Sequence, residues 1–310
     1  MKVGILVDAT CDIPTSILSR HNVTILPTML NLRSEAYPDA RRVDDTLSFY
    51  NEQPEYEIND ASYHSAGFEE LKTLLEDKLL YTCDHLVFIA PHIKLSSTLK
   101  NIREALFDLQ PALQQLREQA RITTPFKVRI IESEQAYAGY GLVLYEALRL
   151  LNEKARSADQ IKAPLIDFRR IVETYIFPGQ MNGSQQHLAV APFNQSWLKL
   201  KKHKLMHSQP IFKIDQDGFR HMTNIRSTTL ENSFLEFVYD YLTRTSLHNH
   251  LVNISYAGKL SQLRVSPTFK QLHEHVKAKR GRLVYSNMSP SSATQLGLGA
   301  LSVSFSGGKL

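Results

Sequence analysis

The chain has 310 residues, 43% apolar and 22% charged, enough for two ordinary domains or one large one and unlike a disordered or collagen-like composition. Its longest apolar runs are strand-length, well short of the roughly 20 residues of a membrane-spanning helix, which excludes a helical membrane span. Much of the +5 formal charge sits in "LKLKKHKLMH" (198–207), a solvated face by this reading, since aromatic interleaving and a nucleic-acid-binding motif are missing.

The opening "KVGILVD" (2–8) is too short for a signal-peptide core and reads as a first strand, so a cytoplasmic location is expected. A helix follows in "CDIPTSILSRHN", with Asp12 as candidate cap and Pro14 early in the helix. "VTILPTML" (23–30) is a second strand, which Pro27 marks as an edge or an irregularity. "SAGFEELKTLLEDKLL" (65–80) is a helix with Ser65 as its expected cap. "HLVFIA" (85–90) and "KVRIIES" (127–133) read as buried parallel strands, apolar on both faces, each followed by a helix. In the first of these helices Leu99, Ile102, Leu106, Leu109, Leu113 and Leu116 keep steps of three and four, and Pro111 is expected to kink or split it. The second covers about 134 to 155. Strands and helices in this alternation predict a parallel α/β sheet with right-handed crossovers and helices on both faces.

Beyond residue 160 the texture changes. Strands are expected at 187–192, 210–215, 251–257 and 282–288, and helices near 227–247 and 260–279, with "DQDGF" (215–219) as a hairpin turn. The fold class is therefore α/β in two domains, 1–160 built on a parallel sheet and 161–310 on a mixed sheet. Cys11 and Cys83 supply neither a disulfide framework nor a zinc-ligand pattern. His203 and His207 are four apart, yet no carboxylate follows at the zincin spacing and the segment is cationic, so no metal is expected.

"KLSSTLKN" (94–101) places Ser96, Ser97 and Thr98 where a strand hands over to a helix. One cap needs one hydroxyl, and here there are three. In an open parallel sheet, ligands sit beyond the carboxyl ends of the strands. That rim carries Asp8, Ala9 and Thr10 after the first strand, the three hydroxyls after another, and Glu132 and Ser133 after a third. Each hydroxyl alone can serve as a helix cap. As a set, hydroxyls and helix-start amides without arginine suit one small anionic head, a carboxylate or a phosphate. No P-loop, GxGxxG or Gly-x-Ser-x-Gly pattern occurs.

The chain resembles the DegV family of fatty-acid-binding proteins, whose members include lipid-binding subunits of bacterial fatty acid kinase. The likeness runs almost end to end. It is carried by "ILVDATCDIP", "ILPTMLNLRSEAYPD" with Tyr37 and Asp39, "ASYHSAGF" (61–68), "KLSSTLKN", "IIESEQAYAGYGLVLYEALRLL", "QPIFKIDQDG" and "MSPSSATQLGLGALSVSF" (288–305), in the family's order and spacing. The resemblance implies the two-domain EDD fold, with a long-chain fatty acid as ligand and no other cofactor. The acyl tail would lie in the N-terminal domain, while the C-terminal domain closes a cleft over the carboxylate. Carried over residue by residue, the head-group candidates are Ser62 and Ser96, with Ser97, Thr98 and Ser65 as neighbours. Gln295 takes the place of a family histidine, and His92, read as a surface residue, lies close enough to Ser96 to substitute for it. Ala61 replaces a threonine, Ser97 a glycine, and Tyr63-His64 a Gln-Pro pair. The family's Gly-Gly-Arg-Ile turn is absent, with "NQSWLKLKKHKLMHS" (194–208) standing there instead. The implied role is a non-catalytic carrier, in partnership with a fatty acid kinase and touching membranes only transiently. The alternative is an enzyme that works on an acyl or phosphoryl group through the Ser/Thr rim and Asp8. The apolar residues of the first half can equally line an acyl tunnel or form an ordinary core.

Overall fold

The alternation of side chains along the strands fixes where each core lies. In β1 (Val3–Asp8), Ile5 and Val7 point to one face and Leu6 to the other, and β6 (His85–Ala90) repeats this with Val87 and Ile89 against Leu86 and Phe88. The computed structural model describes residues 2–32, 35–53, 58, 61–179, 208–227 and 229–309. The expected strand at 187–192, the paired histidines and the basic run 198–207 lie outside these residues.

Four parallel strands form the first sheet, in the order β2-β1-β6-β7, where β2 is Thr24–Leu26 and β7 is Lys127–Glu132. β6 is buried along its whole length, as its apolar run predicts, whereas β7 is an edge strand with one exposed end. Pro27 breaks the second expected strand in two. β2 stays with the parallel sheet, while β3 (Thr28–Leu32) leaves for a three-stranded antiparallel sheet with β4 (Glu35–Asp39) and β5 (Ser62–His64).

Helices cover both faces of the parallel sheet. On the Leu6/Phe88 face lie α3 (Phe68–Leu74), which continues through a π-helical turn at Leu75–Leu79, and α4 (Thr98–Gln119). α4 remains one helix across Pro111, so of the expected kink or split the split does not occur; the proline sits on the exposed side, away from the packed face of Leu99, Ile102, Leu109 and Leu113. α3 begins three residues later than expected. Gly67 is its cap, with the Glu70 carboxylate accepting from the Gly67 amide, so Ser65 is free of that duty. The other face is covered by α1 (Thr15–Arg20), α5 (Tyr137–Asn152) and α6 (Lys162–Arg170).

The second sheet is mixed, in the order β10-β9-β8-β13-β11-β12. β9 (Ser208–Asp215) and β10 (Gly218–Arg226) form the expected hairpin, and only β11 (Thr245–Tyr256) and β12 (Arg282–Asn287) run parallel. Its centre is made by two strands that sequence reading did not find, β8 (Val172–Phe177) and β13 (Leu301–Lys309). The helix expected over 260–279 is two helices, Leu260–Val265 and α9 (Pro267–Ala278), parted at Ser266, whose hydroxyl accepts from the Phe269 amide. Among the described residues no helix is long and apolar enough to cross a membrane.

α5 is the joint of the molecule. Twelve of its 16 residues are buried, since it packs on the parallel sheet by one side and on β8, β11 and β13 by the other. The close approach is made by glycines. A Cβ on Gly139 would lie 2.0 Å from the Thr174 hydroxyl, and one on Gly141 would lie 2.3 Å from the Asp12 carbonyl oxygen. Gly141→Ala is therefore expected to cost about 1–3 kcal/mol in urea denaturation, because the obstructing atom is backbone and cannot rotate away. An unchanged midpoint would show that the two sheets do not depend on this approach.

Candidate functional site

The loop "DATCD" after β1 carries two buried carboxylates that face different parts of the molecule. Asp8 has the parity of Leu6 and ends the face covered by α3 and α4. Its Oδ1 accepts from the Thr10 amide at 3.0 Å and the Thr10 hydroxyl at 2.6 Å, and its Oδ2 accepts from the Thr98 hydroxyl at 3.0 Å. Thr98 is the first residue of α4 and fully buried. Ser96 donates to Thr98 Oγ1 at 2.9 Å and accepts from the Thr98 amide at 3.2 Å, while the Ser65 hydroxyl lies 3.3 Å from that of Ser96. The rim foreseen at the carboxyl ends of β1 and β6 is thus one continuous hydroxyl chain ending on a buried carboxylate.

Burial pushes the Asp8 carboxyl up to about 6, against the pull of its bonds from Thr10 and Thr98 and helped by the nearby Asp39 charge. Burial likewise raises the Tyr63 and Tyr137 phenols.

The remaining candidates are placed as follows. Ser97 stands before α4 with an exposed side chain that makes no capping bond. Ser62 is exposed on β5 and accepts from the Asn31 amide group at 3.3 Å. Gln295 is buried on α10 (Pro290–Leu296), where its carbonyl accepts from the Tyr137 hydroxyl at 2.7 Å. Tyr137 begins α5 with φ of 53°, in the left-handed region that disfavours bulky residues.

His92 is not a surface residue. It is 2% exposed, its Nδ1 accepts from the Lys94 amide at 3.1 Å, and its Nε2 therefore carries the proton and donates to the Asp215 carbonyl at 2.9 Å. Both ring nitrogens are engaged, and burial pulls the imidazole below its ordinary range. It ties the loop before α4 to the β9–β10 hairpin instead of facing a ligand. Ser133 is also turned inward, donating to the Gln135 carbonyl and accepting from the Gln135 amide.

Sequence reading missed the second carboxylate and its partners. Asp12 does not cap α1, whose first turn follows Pro14. Its carboxylate instead accepts from Arg41 Nη1 at 3.2 Å, the Ser289 amide at 2.8 Å and the Ser255 hydroxyl at 2.9 Å. Asp39 accepts from the Ser291 amide at 3.0 Å and hydroxyl at 2.7 Å. The rim was read as lacking arginine. Arg41 does reach this end of the sheet, but its guanidinium is engaged by Asp12 and by the Ile13 carbonyl at 3.0 Å. Clusters like this leave a weak trace in sequence, because a buried Asp–Arg pair 29 residues apart has no spacing rule. Among the described residues no group of three or more side chains of metal-ligating type is gathered.

Because the folded Asp8 carboxyl titrates above its unfolded value of 3.8, its contribution to stability is complete below about pH 4 and lost as pH rises through 6. Asp8→Asn removes this loss. Its urea stability relative to wild type should grow by up to about 3 kcal/mol between about pH 4 and pH 7.5. A difference independent of pH would mean that Asp8 is not held above its ordinary range.

A family profile described as "Uncharacterised protein, DegV family" matches residues 2–183. The chain is 24% identical over 314 residues to a DegV domain-containing protein of Xanthomonas axonopodis pv. citri, covering 98% of this chain and 97% of the relative. Among solved structures it is similar to a DegV lipid-binding protein of Thermotoga maritima, with a TM-score of 0.74 at 16% identity over 100% of this chain and 99% of the other. It is also similar to the Fatty Acid Kinase (Fak) B3 protein of Streptococcus pneumoniae, solved loaded with linoleic acid. There the TM-score is 0.71 at 10% identity, with 99% of each chain covered. At these identities the structural likeness shows the fold.

Proposed function

The chain belongs to the DegV family, and on that premise we propose that it binds a long-chain fatty acid, with the head group at the Ser65–Ser96–Thr98 hydroxyl chain and the acyl tail along the neighbouring face of the parallel sheet. The observation that carries this reading is the hydroxyl chain itself. It ends the same sheet face whose core is Leu6, Phe88, Leu71, Leu99 and Ile102, so polar hydroxyls and an apolar bed adjoin. Burying a tail there contributes about 0.8 kcal/mol per methylene, and the head then needs only a few placed polar groups. Ser62 on β5 and Gln295 near the end of α10 are the further head-group contacts in this reading, and Ser97 stands exposed beside them.

The names of the similar proteins agree with a carrier: one is called lipid-binding and another was solved with linoleic acid. A carrier role also fits the chemistry at Ser96. Its proton goes to a threonine, and the nearby His92 turns its ring to Lys94 and Asp215, so an activated serine nucleophile is not assembled from these groups. By this reading the protein presents a bound acid to a separate fatty acid kinase, as the name of the pneumococcal relative suggests. The segment that departs most from the family, 194–208, is where recognition of such a partner would differ.

Native mass spectrometry of gently purified protein should show a co-purified long-chain fatty acid. Ser96→Ala should weaken its binding about fivefold, the equivalent of one modest hydrogen bond. Protein free of lipid that also fails to take up added fatty acid would overturn the proposal.

A further inference from the structure

Resting on the fatty-acid reading above, we propose that Asp8 is the specificity-determining residue of the head-group site: it makes the rim take a carboxylic acid together with one proton, shared between the two carboxyl groups, and disfavour a permanent anion of the same shape.

The argument starts from the direction of the hydrogen bonds. A hydroxyl has one proton to donate, and an ionised carboxylate only accepts. Thr98 gives its proton to Asp8, and Ser96 gives its own to Thr98. The contact between Ser65 and Ser96 is then donated by Ser65. Thr10 also turns its proton to Asp8. With Asp8 ionised, this network aims its protons inward, so Ser96 offers an incoming head group lone pairs and no donor. At Ser96 an ionised ligand would meet lone pairs with lone pairs.

Adding one proton resolves the conflict in either of two ways. The ligand enters as a carboxylic acid and donates to Ser96, or Asp8 is protonated, donates to Thr98, and turns the relay outward so that Ser96 donates to a ligand carboxylate. Both arrangements bind one proton from solvent per ligand and leave one negative charge on the pair. Two carboxyl groups joined by a short relay titrate as a coupled pair of this kind.

The groups around Asp8 reinforce the need. Asp39 adds negative charge, and buried Cys11 and Tyr140 and half-buried Tyr63 are neutral groups whose ionisation Asp8 opposes. The Tyr140 hydroxyl accepts from the Asp8 amide and donates to the Ile89 carbonyl, so it has no proton for the carboxylate. Two cations of the neighbouring segments are committed elsewhere. Arg41 is paired with Asp12, and Lys94 is exposed and paired with Asp217. Gln295 stands where the family likeness places a histidine, and its amide carries no charge and takes up no proton.

Calorimetric titration of the full chain with decanoic acid, in two buffers of different ionisation enthalpy at about pH 7.5, reads the proton uptake directly. The expected result is about one proton bound per ligand, with affinity falling about tenfold per pH unit above pH 7. Decane-1-sulfonate, a permanent anion, should bind about tenfold more weakly or worse and without uptake. In Asp8→Asn the uptake should fall to near zero and the preference for the carboxylic acid should disappear. Wild-type binding with no uptake and an affinity flat from about pH 6 to 8.5 overturns the proposal and leaves fatty-acid binding standing. Failure of both decanoic and hexadecanoic acid to bind at any pH instead sinks the fatty-acid reading, and this proposal with it. If the variant does not fold, the wild-type uptake alone decides.

Discussion

The ion pair between Asp12 and Arg41 is the constraint on which the arrangement of the two halves depends. Both side chains are removed from solvent, and burial lifts the Asp12 carboxyl to about 6 in spite of the guanidinium beside it. Such a pair is stable only where further donors complete its shell, and here the Ser289 amide and the Ser255 hydroxyl do so from the second half of the chain. Arg41 holds a left-handed backbone (φ 58°) to make the contact, a strain that the surrounding bonds must overcome. Parting these segments would expose a carboxylate and a guanidinium stripped of these partners. The relative position of the rim and of Gln295 is set by this lock.

The first half was largely legible in sequence because its strands and helices follow simple periods. The buried run "HLVFIA" became the fully buried β6, and the three- and four-residue steps from Leu99 became the packed face of α4. The second half was less so, for a physical reason visible in β13. There Leu301, Val303 and Phe305 alternate with Ser302, Ser304 and Ser306, the pattern of a half-exposed strand. All six are buried. Small hydroxylated residues are needed on the inner side because α5 approaches closely there, with the Ala138 amide donating to the Ser302 hydroxyl. β8 has a similar history, with Thr174 directed at Gly139 and Gln135. Polar residues that serve close packing look like surface when read one chain segment at a time.

The candidate site was legible as a set of residue types and not as a network. Ser65, Ser96, Thr98 and Asp8 were each singled out, but only the fold shows that they form one directed chain of hydrogen bonds. His92 was misread because its burial comes from a hairpin 123 residues further along the chain, which no local pattern can announce. The Asp12–Asp39–Arg41 cluster was invisible for the same reason: its acceptors lie in the first 40 residues and several of its donors beyond residue 250.

The position of α5 between the two sheets has a consequence for how the chain folds. A helix that is the floor of one layer and the ceiling of the next cannot be allotted to either. Severing the chain after residue 160 would strip β8, β11 and β13 of their cover and leave Gly139 and Gly141 facing water. The halves are therefore interdependent in stability, melting as a single cooperative body rather than as two modules joined by a tether.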